Sequence, residues 1–153
     1  MRAKKPDDVL QKLSKPLHYE FWMLGTAMNL LRHKRCKEDE NVAIESFGIH
    51  ARVLTDFLFK MVGSDTDVLA IDFLDDVESW KKYVSQHTEV YEYIQKRTGK
   101  EIAHLTTDRL NVTPDEKKWD CLKIYGQIKE VFVEFMSRVP NDKLEHKLFT
   151  PLI

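Results

Sequence analysis

An arginine and a histidine a few residues apart can do phosphodiester chemistry. The guanidinium neutralises phosphate charge while the imidazole moves a proton near neutral pH. This chain has that spacing in RTGKEIAHLTTDR, where Arg97 precedes His104 and Arg109 follows it. A second polar set lies upstream, in NVAIESFGIHARVLTDFLFKM. At roughly 100° per residue, Asn41, Glu45, Arg52 and Asp56 fall in one narrow sector of a helix whose other positions are mostly apolar. A helix of that composition belongs inside a protein, so its charges must pair there or line a cavity. Two arrangements are open. Arg52 could pair along the helix with Glu45 or Asp56 as a structural device. Alternatively, Arg52 and Glu45 face a cavity shared with another helix. His50 points away from this sector and reads as a hydrogen-bonded core residue.

The Arg97–His104 spacing resembles the R-x4–6-H motif of the HEPN superfamily, small helical-bundle proteins that often act as dimeric ribonucleases. The resemblance covers this motif and the helical plan of the chain. It implies that Arg97 would engage RNA phosphate and that His104 would act in proton transfer. Glu45 would resemble the acidic residue that some members place on an earlier helix. Arg52, Asp56 and Arg109 complete the candidate site as substrate-binding or supporting residues. Cleavage would be metal-independent, with no cofactor. The rival reading is a non-enzymatic homodimeric interaction module, in which the same residues form a buried network that fixes helix register.

Metal chemistry finds little in the spacing. Glu101-Ile-Ala-His104 is a single Glu-x-x-His unit, whereas di-iron bundles use two of these with further glutamates. Neither His-x-x-x-His nor Cys-x-x-Cys occurs. Asp65, Asp67, Asp72, Asp75 and Asp76 could bind a cation, but they suit helix caps and turns better. Cys36 and Cys121 are too few for a disulfide scaffold and are expected as reduced thiols.

The elements that must position these residues follow from composition and periodicity. At 153 residues, 42% hydrophobic and 32% charged, the chain reads as one globular domain. A net charge of −1 excludes a globally basic surface, so RNA binding would need a local patch. No apolar run is long enough for a membrane-spanning helix. The N-terminus MRAKKPDDVLQKL has no signal-peptide core and reads as mature sequence, which points to the cytoplasm.

Residues 1–15 are expected as a mobile arm with a helical turn at 9–13. After Pro16, Leu17, Phe21, Leu24, Met28 and Leu31 trace one face of a first helix. The cluster Arg32, His33, Lys34, Arg35 and Lys37 suits its C-terminal end, with a phosphate-binding patch as the other reading. A second helix over 41–61 lies antiparallel to the first. An irregular crossover carrying Val68, Leu69, Ile71, Phe73 and Leu74 should cover an open end or edge. A short helix over 77–84 holds Trp80, and a third main helix starts from an N-cap at Thr88, with Gly99 weakening or ending it. Thr113-Pro114-Asp115-Glu116 signals the start of a fourth, whose apolar face carries Leu122, Tyr125, Ile128, Phe132, Phe135 and Met136. Trp22, Trp80, Trp119, Tyr91, Tyr93 and Tyr125 fall mostly at core spacing. The expected fold class is all-α, an antiparallel four-helix bundle with an irregular crossover between helices two and three, assembled as a homodimer.

Overall fold

In the computed structural model, residues 4–103, 107, 110, 113 and 118–152 are described, and every regular element among them is helical. Helix α1 (Asp7–Arg32) begins after Pro6, with Asp7 and Asp8 in the first turn, where acids complement the helix dipole. It runs straight through Pro16, so residues 7–15 are the first third of α1 rather than a separate arm. Proline there removes the N–H that the Lys12 carbonyl would accept. Burial outweighs that loss: Leu10 and Ser14 are fully buried and Leu17 nearly so, on one face. Two polar contacts anchor the same turns. Gln11 Nε2 donates to the Asp142 carbonyl at 2.7 Å, and Ser14 Oγ accepts from the Glu145 N–H at 3.0 Å.

His33 closes α1, with its ring nitrogen 2.9 Å from the Asn29 carbonyl. The turn then leads into α2 (Lys37–Phe59), opened by Glu38, Asp39 and Glu40. Lys34 and Lys37 of the basic cluster both bind Glu40, at 2.7 and 3.1 Å. Helix α2 touches α1, α3, α5 and α6. Phe47, Ala51, Leu54 and Leu58 form its inward face, all fully buried. It is not enclosed all round, as its composition suggested: Val42, Ile49 and Val53 form an outer strip that is 64%, 51% and 43% exposed.

The crossover holds the short helices α3 (Ala70–Phe73) and α4 (Val77–Val84). Its apolar residues do pack inward, as expected. Phe73 meets Phe57 and Phe135 edge-on, and Trp80 is fully buried with its indole N–H donating to the Leu58 carbonyl at 3.1 Å. The aspartates serve backbone. Asp67 accepts from Ser64 N, Asp72 from Leu69 N and Asp76 from Ser79 N, at 2.7, 2.9 and 2.9 Å. Asp75 instead receives the buried Lys143 ammonium, which holds its carboxyl below the usual range.

Helix α5 (Thr88–Arg97) starts one residue early: His87 holds the N-cap position, and Thr88 is the first helical residue. Helix α6 (Cys121–Arg138) begins later than the capping-box pattern indicated. Pro114, Asp115 and Glu116 lie outside the described residues, and Lys118, Trp119 and Asp120 are not helical. The cap is Asp120, whose carboxylate accepts from Lys123 N at 3.1 Å. The inward face takes in Cys121 and Ile124, while Leu122, expected on it, is 61% exposed. Further along, Phe132 stacks on Phe21 with ring centroids 4.2 Å apart, joining α6 to α1.

Leu10 separates a packed helix from a loose arm. Leu10→Ala should lower stability by about 2–5 kcal/mol in urea unfolding, the usual range for a fully buried leucine. An unchanged midpoint would mean that residues 7–15 do not contribute to the core.

Candidate functional site

Arg97 ends α5, and the chain continues as a π-helical turn, Thr98–Ala103. Glu101, four residues on, lies beside Arg97. Nε and Nη2 of the guanidinium donate to the two Glu101 carboxylate oxygens, each at 2.7 Å. Nη1 donates to the Lys118 carbonyl at 2.8 Å and to the Tyr93 hydroxyl. The Trp119 and Tyr93 rings lie 4.8 and 5.3 Å from the guanidinium carbon, and Trp119 Nε1 donates to Glu101 at 3.0 Å. Arg97 is only 9% exposed within this cage. Burial pulls its pKa down, but the bonds to Glu101 and Tyr93 outweigh that, and the guanidinium ends above the ordinary arginine value. A phosphate could reach this fork only by displacing Glu101.

The cage depends on a close approach. A Cβ placed on Gly48 of α2 would lie 2.2 Å from Ile102 Cδ1 and 3.4 Å from the Trp119 ring. Glycine there lets the π-turn and Trp119 lie directly on α2. Thr98, the residue after Arg97, is buried and donates to the Ile94 carbonyl at 2.7 Å. Its hydroxyl also accepts from Arg52 Nη1 at 3.2 Å.

The polar stripe of α2 is therefore split among different partners. Asn41 and Glu45 are exposed, while Arg52 and Asp56 are half-buried. Arg52 bonds Thr98 and has no carboxylate partner among the described residues. Asp56 accepts from Lys60 Nζ at 2.9 Å and from Gln95 Nε2 at 2.6 Å, and it raises the Lys60 pKa. The expected Glu45–Arg52 and Arg52–Asp56 pairs are absent, because the π-turn brings a hydroxyl nearer to Arg52 than either carboxylate. Arg52 does meet the residue next to Arg97, but the two guanidinium groups hold separate partners. His104 and Arg109 lie outside the described residues.

One pair escaped the sequence reading. Glu20 of α1 and His50 of α2 approach to 2.7 Å between carboxylate oxygen and imidazole Nδ1, and Tyr19 meets the His50 ring edge-on at 5.9 Å. The Glu20 carboxylate accepts from Nδ1 and so orients the imidazole ring. The signal was the hairpin itself. Glu20 lies as far before Arg35 as His50 lies after it, so an antiparallel turn there sets them opposite. His50 is hydrogen-bonded and half-buried, in keeping with the reading of a core histidine.

Compared with protein-family models, curated proteins and solved structures, the chain matches none. The cage around Arg97, the Arg52–Thr98 contact and the Glu20–His50 pair thus stand on their own geometry.

Removing either arginine distinguishes a buried ion pair from a lone hydrogen bond. Arg97→Ala should cost on the order of 3 kcal/mol in urea unfolding, since it strands the Glu101 carboxylate among aromatic rings. Arg52→Ala should cost only about 1 kcal/mol, the worth of one hydrogen bond. Equal losses would show that the two share one network.

The thiols offer a pH-dependent check. Burial, helped by the Asp120 carboxylate, pushes the Cys121 thiol up to about 11, whereas Cys36 is exposed. A thiol whose pKa is raised stays protonated and unreactive below that value. In titration with a disulfide reagent near neutral pH, one thiol should react in the native protein and the second only after unfolding. Rapid reaction of both would place Cys121 in contact with solvent.

Proposed function

We propose that this chain is a non-enzymatic helical interaction module. In this reading α1, α2, α5 and α6 form a four-helix bundle that self-associates through the outer face of the α1–α2 pair in the cytoplasm. One observation carries the reading: the exposed strip Val42, Ile49 and Val53 on α2, flanked on α1 by Tyr19 and Leu30, which are also about half exposed. Large apolar side chains grouped on a face mark an association surface. The partner is a second copy. A net charge of −1 offers no long-range repulsion between copies, and two antiparallel helix pairs meeting about a twofold axis give a self-complementary layer. The caged Arg97 fits a structural role, since its hydrogen bonds are spent on holding the π-turn.

Metal-independent RNA cleavage by a HEPN-like site is the second reading. It is favoured by one feature: Arg97 already grips a planar two-oxygen anion, the Glu101 carboxylate, between aromatic rings. RNA phosphate would take the place of Glu101, with His104 moving the proton and Glu45, Arg52, Asp56 and Arg109 in support.

The two readings separate in solution. Under the module reading, sedimentation at micromolar concentration gives twice the chain mass. Ile49→Glu and Val53→Glu convert this to a monomer with unchanged helical circular dichroism, and the wild type leaves single-stranded RNA intact in EDTA. A wild-type monomer at every concentration removes the module reading. RNA cleavage lost in both His104→Ala and Arg97→Lys, with the folds intact, establishes the nuclease instead.

A further inference from the structure

Two cavities of similar size open beside α1, and they differ in whether their polar groups are already satisfied. The larger, about 330 Å³, lies between α1, α2 and the crossover. Its walls are mainly apolar, with Glu20, Asp56 and Lys60 among them. Those charges are taken: Glu20 holds His50, and Asp56 holds Lys60 and Gln95. An incoming polar ligand would have to break one of these bonds.

The second cavity, about 300 Å³, lies on the other side of α1, against Tyr125 of α6 and residues 151–152. Trp22, Gly25, Asn29 and Arg32 line it from α1. No ion pair or hydrogen bond engages the Arg32 guanidinium, the Tyr125 hydroxyl, the Trp22 indole N–H or the Asn29 side-chain amide among the described residues. Each of the four can donate a hydrogen bond, and no carboxylate lines the cavity among the described residues. Burial raises the Tyr125 phenol above its ordinary pKa against the opposing pull of Arg32, so it remains a hydroxyl donor at neutral pH. The Tyr125 ring stacks on Phe21 at 6.5 Å, giving the cavity a flat aromatic wall. Gly25 keeps it open: a Cβ there would sit 3.7 Å from the Tyr125 oxygen, so anything longer than a methyl group would project into the space.

We propose that this cavity is a binding site for a small planar aromatic carboxylate. The carboxylate is held by the Arg32 fork and the Tyr125 hydroxyl, and the ring lies between Trp22 and Tyr125. A guanidinium takes the two oxygens of a carboxylate through parallel N–H bonds, and the volume suits a one- or two-ring ligand. The aromatic walls favour such a ligand over a bare inorganic anion, which would leave them wet. The site adjoins the outer α1–α2 face, since the Trp22 ring lies 6.3 Å from that of Tyr19, and it shares no lining residue with the Arg97 cage.

Calorimetric titration with 2-naphthoate tests this, with 2-naphthamide as the neutral isostere and inorganic phosphate as the bare anion. Naphthoate should bind once per chain, at least tenfold more tightly than either comparison probe. Arg32→Gln should weaken it by about tenfold, the loss of one charge-assisted contact, and Tyr125→Phe by a smaller factor. Gly25→Val should abolish binding by filling the cavity, while Gly25→Ala retains it. The indole N–H resonance that disappears in Trp22→Phe should be the one that naphthoate shifts. Circular dichroism and the urea midpoint of each variant report the fold, and Gly25→Ala together with Tyr125→Phe keeps the test decisive should Gly25→Val fail to fold. Equal affinity for naphthoate and naphthamide, tighter binding of phosphate, full binding by Gly25→Val, or no binding by the wild type would each overturn the assignment.

Discussion

The position of α2 governs most of this fold. It lies against α1 along its length, against α5 and the π-turn on one flank, and against α6 and α3 further round. A helix with neighbours on most sides cannot carry a broad polar face, so its composition is set by contact rather than by propensity. Where a neighbour comes closest the side chain shrinks to Gly48, and where none comes the strip of Val42, Ile49 and Val53 remains in water. Three half-buried polar groups of α2 sit at seams where the next element offers an atom to bond: Thr98 for Arg52, Gln95 for Asp56, Glu20 for His50.

Arg97 shows how a residue type with obvious chemical use can be absorbed by architecture. A guanidinium entering a low-dielectric setting needs its charge matched and its donors filled. Glu101, Tyr93 and the Lys118 carbonyl do both, and Trp119 covers the face of the group. The outcome ties α5, the π-turn and the approach to α6 together through one side chain. The π-turn carries Glu101, which lies four residues after Arg97 and pairs with it.

How much of this could be read from residue order depended on the range of the deciding interaction. The antiparallel α1–α2 hairpin, the inward-facing crossover and the capping aspartates were legible because each rests on local periodicity or on neighbours within a few residues. Pro16 misled, since a proline usually opens a helix, and the compensating burial of Leu10 comes from residues far along the chain. The start of α6 misled in a similar way: Thr113-Pro114 is a strong local signal, yet the helix begins at Cys121 under the Asp120 cap. At the candidate site the residue types were legible but their partners were not. Glu45, Arg52 and Asp56 share a helical sector, and sector alone cannot tell that a hydroxyl from another element lies nearer than the carboxylate on the same helix.

The bonds from Gln11 to Asp142 and from Glu145 to Ser14 each close a loop of 131 residues. During synthesis the ribosome releases residues 7–15 long before the chain that completes their surroundings. At ordinary elongation rates that interval is about 7–26 seconds, far longer than helix formation takes. Until then the opening turns of α1 lack the partners that Gln11 and Ser14 bond, on a stretch that also carries a proline. The α1–α2 hairpin can form early from sequence-near contacts, but its first turns stay provisional. The last polar partners of the opening turns of α1 therefore arrive only once residues 142–145 have been made.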